Sequence, residues 1–431
     1  PAHPFSKFSV GNLDTLADRN AASITEDVKR LFNDFYYAPF MTLAIESPAA
    51  LESLEALAKQ YFSPIRTTTK ALPKINVPLY QPQHQQKLIN VKPVKNDRQL
   101  VISFAMPSID EFYREKPESL LAYLLGHEGK GSILSLLKQN GWAIGLTAGS
   151  GVNGSNFKDF NISIPLTVEG ENHIDEIISI VFSYISLMKN NEIAPHYYED
   201  KQSISELAFT YQEKLSPLDS VSQLVVNMQH YPAEDYMFGD YVMAGLIEKD
   251  YQYLLNMLSA ENMRIVHISH QSSFDKTSKW YKVPYKVTII TPEKIADWQS
   301  PAINDSLFLP TENKYIVAKP SVLENETEAG NLLPALIKQQ NGLNLWFKQD
   351  QTFKVPKGYI YIGLDSAVTI ASTQNIAMTR LFVDIYSDAI VEEHYDAELA
   401  GIHYHLYSHQ GGLSLQLSGL SEKQDDLLVT L

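Results

Sequence analysis

Three histidines near the end of the chain are spaced as metal ligands could be. His405 and His409 lie four residues apart in HLYSH, and His403 precedes His405 by two. The segment is predicted to be a strand turning into a loop, and strand periodicity would place all three on one face. No glutamate lies between them to act as the general base of a peptidase motif. A surface or packing role is therefore favoured, with metal binding as the alternative.

The glycine-rich segment LGHEGKGS, at 125–132, is the second candidate. Adjacent helical residues point about 100° apart, so His127 and Glu128 cannot hold one ion together. Lys130 and Ser132 lie among glycines, but the order of residues in a phosphate-binding loop is missing. Glu128 remains either a polar helix end or an anchor for the amine of a substrate.

The elements around this segment indicate recognition of an extended ligand. A helix is predicted over Ser119–Glu128 and another over Ile133–Asn140, with Gly141 as its stop and a strand over Trp142–Leu146. Glycines between helices let a backbone approach closely, and an exposed strand can accept a peptide as an additional strand. No nucleophile and base, and no metal-ligand spacing, accompany them. The sequence therefore predicts a recognition surface of an enzyme whose chemistry lies elsewhere.

Composition limits the class of protein. The chain has 431 residues, which favours two or three domains. Lysine and arginine number 35 against 50 aspartates and glutamates, a net charge of −15 that argues against nucleic-acid binding and predicts a preference for basic peptides. Without cysteine, any zinc would need His, Asp or Glu ligands. No apolar run reaches the length of a membrane span.

The order of predicted elements indicates an α+β fold of repeated α/β domains, each an antiparallel-rich sheet packed with helices. One copy is predicted to be complete, at about 99–270, with partial copies before and after it, so we expect a fragment of a longer protein. Further predicted elements are a helix at 24–35, strands at 40–45, 99–105 and 160–166, and a helix at 199–214 that Pro217 ends. Residues 63–97 and the polar stretch from Lys286 onward are predicted to be linkers.

Several segments resemble the insulin-degrading enzyme and pitrilysin family of zinc peptidases. They are HPFSKFSVGNLDTL (3–16), LLGHEGKGSILSLLKQNGWAIGL (124–146), YPAEDY (231–236), PALIKQQNGLNLWFKQD (334–350) and YDAELAGIHYHL (395–406). Members of that family have four homologous α+β domains that enclose a chamber. The resemblance implies the end of a first domain at 1–75, a complete second domain at 76–302, a linker at 303–324 and the start of a third domain at 325–431.

The same resemblance implies which functional residues the chain carries. The family's zinc motif would precede residue 3, so zinc is expected in the intact enzyme, and no catalytic or metal-binding residue is expected here. The residues that match the family's substrate-anchoring exosite are Gly126, Glu128, Leu146, Ala148 and Gly149. Ala148 replaces a usual glycine, and Ser119 and Tyr123 stand where the insulin-degrading enzyme has histidines. Its particular substrate preference is thus not carried over.

The expected function is that of a fragment of a zinc metalloendopeptidase that degrades peptides within an enclosed chamber. The fragment would supply substrate anchoring and structural walls. The alternative is a non-catalytic homologue acting as a structural or peptide-binding subunit, and a weaker one is a metal-binding module built on the three histidines. Peptides are the expected partners, and the intact protein could form a homodimer. The expected compartment is the periplasm, with the cytoplasm as the alternative.

Overall fold

The computed structural model describes residues 3–19, 23–302, 304–323, 333–350 and 352–431. Its α-helices are α1 Ile24–Phe35, α2 Leu51–Phe62, α3 Pro117–Leu125, α4 Ile133–Gln139, α5 Ile174–Asn190, α6 Pro195–Thr210, α7 Pro217–His230, α8 Glu248–Met257, α9 Pro292–Gln299, α10 Thr373–Leu399 and α11 Gln424–Thr430. Its strands are β1 Lys87–Val91, β2 Gln99–Met106, β3 Thr147–Ser150, β4 Asn153–Gly154, β5 Phe157–Pro165, β6 Met263–Ile268, β7 Lys276–Thr277, β8 Pro284–Ile289, β9 Ala335–Gln340, β10 Leu343–Phe347, β11 Lys357–Asp365, β12 Ile402–His409 and β13 Gly412–Leu420.

The chain divides into two compact units. The first comprises Pro1–His127, Gly131–Ile193 and Lys214–Leu309. The second comprises Glu128–Lys130, Ala194–Glu213 and Pro310–Leu431. The antiparallel-rich, mixed α+β fold predicted from the sequence is confirmed. Residues 303 and 324 of the predicted linker lie outside the described residues, and within it Tyr315 is buried in the core of the second unit.

The first unit is organised around one sheet with the strand order β3-β5-β2-β6-β1-β8-β7, and β4 also pairs with β5. Only β1 and β6 run parallel among these pairs. The register places Leu100 opposite Ile164 and Phe104 opposite Phe160, and all four side chains have 0% exposure. The centre of the sheet is therefore the core of this unit, and β3 lies at its margin.

The second unit contains a two-stranded hairpin of β9 and β10 and a three-stranded antiparallel sheet with the order β11-β13-β12. Helix α10 packs on β12. A buried cluster, which includes Ala397 from α10, Ile402 from β12 and Leu417 from β13, joins helix and sheet. This unit buries its core by placing one face of a sheet against a helix.

Three element predictions are wrong. Residues 40–45 form no strand, since a short 3₁₀ turn ends at Phe40 and an irregular segment follows. Trp142–Leu146 is not a strand, because Ala143 makes a single bridge to Leu166 and the strand ladder begins only at Thr147. Pro217 is the first residue of α7 instead of the stop of α6, which already ends at Thr210.

The two predicted linkers also contain regular structure. The first includes β1, in the middle of the sheet of the first unit, and the second includes β8 and α9. Within these polar stretches, the short strands KLINV and PYKVTI carry the β-branched and aromatic residues that favour strands. Among the described residues, no helix combines the length and apolar character needed to span a bilayer.

Candidate functional site

Helix α3 ends at a glycine that permits a close approach of backbone. The N–H of Gly126 donates to the carbonyl oxygen of Ala122 at 2.9 Å. A Cβ on Gly126 would lie 2.8 Å from that oxygen and 3.5 Å from the Cβ of Ala148. The first distance is shorter than a carbon atom tolerates, so another residue at 126 would strain the last turn of α3, whereas its contact with Ala148 would be an ordinary one.

Strand β3 follows as the last strand on its side of the sheet in the described part of the first unit. Ala148 pairs with Ile162 and Ser150 with Asn161, and Gly149 is the bulged residue between them, with φ of +83°. A Cβ on Gly149 would lie 2.5 Å from the Cβ of Ala122. Glycine is therefore required at 149 by its conformation and by the packing of α3. The resulting edge is the kind of surface to which an extended peptide adds.

Lys158 holds this bulge in place and was not predicted from the sequence. Its Nζ donates to the carbonyl oxygen of Gly149 at 3.1 Å and to that of Gly151 at 3.3 Å. It also lies 3.8 Å from a carboxylate oxygen of Glu118, and its side chain is only 7% exposed. The sequence contains a signal for this role. Lys158 and Phe160 are two residues apart in β5 and so face the same side, the core, and a charge in the core requires partners.

The structure gathers three of the five predicted exosite residues, Gly126, Ala148 and Gly149, around Ala122 of α3. Leu146 has 4% exposure, so its side chain belongs to the core and its contribution would come from its backbone. Glu128 groups with the second unit and is half-buried there. Burial, together with the charges of Glu128 and Asp396, raises the pKa of Tyr395 above its usual range.

The rest of the glycine-rich segment has a structural role. Gly131 has φ of +81°, and a Cβ there would lie 2.6 Å from the ring of Phe308. The hydroxyl of Ser132 caps α4 by accepting from the N–H of Ser135 at 3.1 Å. His127 is 4% exposed and packs against the ring of Tyr123, with centroids 5.8 Å apart. These contacts account for the residues without a phosphate ligand.

The histidines of β12 lie on its exposed face, as the strand period predicts. His403 contacts a carboxylate oxygen of Glu398 at 2.6 Å, and this hydrogen bond raises the pKa of the imidazole. His405 stacks on Tyr407 with centroids 5.3 Å apart, and Nδ1 of His409 accepts from the N–H of Gly411. Across the described ranges, no group of three or more His, Asp or Glu side chains could hold a metal ion. These residues therefore do not fit a zinc site.

Two domain models of one protein family match most of the chain. Residues 23–204 match the model of the inactive domain of M16 peptidases, and residues 209–431 match that of their middle or third domain. This chain belongs to the M16 peptidase family. The resemblance noted in the sequence is confirmed, and the chain covers an inactive domain and a middle or third domain of that family.

Relatives in this M16 family cover almost all of the chain. The A-factor-processing enzyme of Saccharomyces cerevisiae is 32% identical over 98% of this chain and 41% of its own length. The human insulin-degrading enzyme is 30% identical over 99% of this chain and 42% of its own length. The crystal structure of pitrilysin aligns with a TM-score of 0.81 and 26% identity, covering 99% of this chain and 46% of that one. The chain thus spans less than half the length of these relatives.

Proposed function

We propose that this chain is the substrate-holding part of a zinc-dependent M16 endopeptidase that degrades peptides within an enclosed chamber. Its matches to an inactive domain and to a middle domain support a role in binding and in forming walls. The names of its relatives, which include an insulin-degrading enzyme, support a peptide as the substrate. The zinc ligands would lie outside these residues, since the histidines, aspartates and glutamates described here form no metal-binding group.

The observation that carries the proposal is the edge of β3 beside α3. Gly126 and Gly149 bring helix and strand together, and Lys158 holds the bulge between Ala148 and Ser150. An extended peptide would add to this edge through main-chain hydrogen bonds, which bind many sequences. On the resemblance to the family's exosite, the carboxylate of Glu128 would pair with the α-ammonium of the peptide through a charge-assisted hydrogen bond. The peptide would thereby be held by its amino end.

The test is binding of one peptide with a free and with an acetylated amino terminus, measured by fluorescence anisotropy on the 431-residue chain. We expect acetylation to weaken binding about tenfold, the usual scale for loss of one charge-assisted hydrogen bond. Glu128→Gln should remove this difference, whereas Glu192→Gln, at an exposed position after α5, should leave it intact. Equal binding of both peptides by the unaltered chain would contradict the amine anchor.

The second candidate function is a non-catalytic homologue that binds peptides or serves as a structural subunit. The match to an inactive domain favours it. Zinc content and peptide cleavage of the intact gene product, measured beside this chain, separate the two. If the intact product binds zinc and cleaves peptides while this chain does neither, the endopeptidase is supported. If the intact product does neither, the non-catalytic subunit is supported. We propose the periplasm as its compartment on the resemblance to bacterial pitrilysin, with the cytoplasm as the alternative.

A further inference from the structure

Two loops of the first unit share one sequence plan, a pair of lysines with two apolar or aromatic residues between them. The loop after β1 contains KPVK, at 92–95, and the loop between β7 and β8 contains KWYK, at 279–282. The four lysines are all exposed, and they are Lys92, Lys95, Lys279 and Lys282. The proposed function assigns no role to either loop.

The sheet brings the KPVK and KWYK loops to the same end of two strands. β1 and β8 run antiparallel, so the end of β1 lies beside the start of β8. The N–H of Lys92 donates to the carbonyl oxygen of Pro284 at 3.0 Å. The KWYK loop is closed by a hydrogen bond from the N–H of Ser278 to the carbonyl oxygen of Val283 at 2.8 Å. Both loops therefore extend from one end of the β1–β8 pair, toward the margin of the sheet away from β3.

Apolar side chains lie exposed between the lysines. Val94 is 94% exposed and Tyr281 is 53% exposed. The hydroxyl of Tyr281 donates to the carbonyl oxygen of Val10 at 3.1 Å, and the ring of Trp280 packs against that of Phe8 with centroids 4.8 Å apart. These contacts hold the KWYK loop in a fixed conformation, while the surface of both loops stays open to a partner.

The lysines produce a local positive charge in a chain whose net charge is −15. Among the described residues, none of the four forms an ion pair with a carboxylate. Lys276 of β7 and Lys286 of β8 add two cations beside them, and the exposed Asp97 and Asp275 offset only part of the charge. Because salt screens exposed charges beyond about 8 Å, acidic residues elsewhere do not cancel this local field.

Protection of a sheet edge does not account for the loop lysines. Lysine on an edge strand prevents pairing with another chain, and Lys276 of β7 has that position. The four loop lysines lie outside the strands, where there is no ladder to extend. Lysines around exposed apolar side chains are typical of surfaces that bind anionic bilayers. A fully exposed apolar tip such as Val94 gains most from a partner that it can enter, which favours a lipid surface over an acidic peptide.

We propose that the KPVK and KWYK loops form a docking surface for an anionic lipid bilayer. The lysines would contact negatively charged headgroups, and Val94 would enter the boundary between headgroups and acyl chains. The attachment would be peripheral, reversible and weakened by salt. It goes beyond the proposed function, since peptide binding is assigned to β3 at the other margin of the sheet.

The test is co-sedimentation of the 431-residue chain with vesicles of phosphatidylcholine, alone or with about one third phosphatidylglycerol. We expect binding only to the anionic vesicles, and about tenfold weaker binding when the salt concentration is raised from low to physiological. Equal binding to both kinds of vesicle, or binding to neither, would overturn the docking surface. Retention on immobilised polyglutamate without vesicle binding would overturn it in favour of an acidic protein partner.

A pair of double variants separates the loops from overall charge. Lys279→Gln with Lys282→Gln should weaken binding to the anionic vesicles about twentyfold, at about fivefold for each lysine near an anionic surface. Lys214→Gln with Lys249→Gln removes the same charge from exposed positions in other segments and should have less than about a twofold effect. Equal losses in the two double variants would show general attraction and overturn the surface.

Val94→Ser tests the entry of the apolar tip. It should weaken vesicle binding about threefold, on the scale of partial burial of one valine. Val168→Ser, at another exposed position of the first unit, is the matched control and should bind as the unaltered chain does. Since all the substituted side chains are exposed, urea unfolding and peptide binding should be unchanged in every variant. Full vesicle binding by both Val94→Ser and the double variant of the KWYK loop would overturn the proposal.

Discussion

The ammonium of Lys158 lies 3.1 Å from the carbonyl oxygen of Gly149, within the only bulge of the edge strand β3. A bulge leaves carbonyl groups without ladder partners, and a buried carbonyl without a donor destabilises the fold. Lys158 satisfies the carbonyls of Gly149 and Gly151 together and lies beside Glu118 of α3. One buried cation therefore fixes the conformation of the strand edge on which peptide binding is proposed.

Lys158→Met is expected to lower the free energy of unfolding by about 1–3 kcal/mol, because two carbonyls lose their donor and Glu118 loses a neighbouring cation. Peptide affinity should fall as the edge of β3 loses its fixed shape. Urea unfolding and anisotropy measure the two effects. Lys294→Met is the control, since the pair of Lys294 with Asp175 is about half exposed and its loss should cost less than about 1 kcal/mol. Equal effects of both variants would contradict a special role for Lys158.

Gly149→Ala is expected to destabilise the first unit by about 1–3 kcal/mol, because alanine at φ of +83° is strained and its Cβ would lie 2.5 Å from that of Ala122. The displacement of α3 should also weaken peptide binding. Gly145→Ala is the matched control, four residues earlier, where the nearest atom to a Cβ is Cγ of Pro165 at 3.9 Å. The midpoints of thermal unfolding of the two variants check the prediction, and we expect the lower midpoint for Gly149→Ala. Similar midpoints for both would show that β3 can shift freely.

The binding role of the predicted site residues stays a prediction, while their placement can be compared with the sequence. Gly126 and Gly149 were found because their spacing matched a family pattern, and the structure brings them together against Ala122. The sequence predicts a strand at 142–146, directly after the stop of a helix at Gly141. Strand propensity depends on partners, and the partner β5 pairs with Thr147–Ser150, which has little strand character of its own. Pairing across the sheet is not visible in a local window.

Other features were misinterpreted for equally physical reasons. Proline ends a helix from within but is also favoured at its first position, and Pro217 occupies that position in α7 after the cap Ser216. Lys158 is in phase with Phe160, which could have indicated a buried charge, but its partners lie on the neighbouring strand β3, in the turn after it and on α3. Such partners become known only when the register is known.

The ion pair between Arg98 and Glu171 yields a stability prediction for the first unit. Nε of Arg98 lies 2.8 Å from Glu171, whose side chain is 3% exposed and also accepts from the hydroxyl of Ser269. Arg98→Met should cost about 3 kcal/mol, because it leaves a buried carboxylate without its cation. The double variant Arg98→Met with Glu171→Leu should recover much of that loss. Urea unfolding of the two single variants and the double variant measures these free energies. A loss in the double variant equal to the sum of the single losses would contradict an interaction between Arg98 and Glu171.

His394 predicts how the second unit responds to acid. Its side chain is 2% exposed, and neither ring nitrogen has a hydrogen-bond partner in the described part of the chain. Burial lowers the pKa of His394, the charge of Glu393 offsets part of this effect, and the charge of Lys314 lowers the pKa further. Below about pH 6.5, the value of an unperturbed histidine, the unfolded chain binds a proton that the folded state resists. Stability should therefore be full above that pH and fall as the pH drops toward the folded pKa.

His394→Leu should remove this dependence and raise stability by about 1 kcal/mol at neutral pH, because the unpaired ring nitrogens are no longer buried. The gain should be larger at pH 5 than at pH 7.5. Hydrogen exchange of peptides covering α10 and β12 at both values measures it within the second unit. His405→Leu, at an exposed position of β12, is the control and should change little. A gain that is the same at both pH values would mean that protonation of His394 does not limit the stability of this unit.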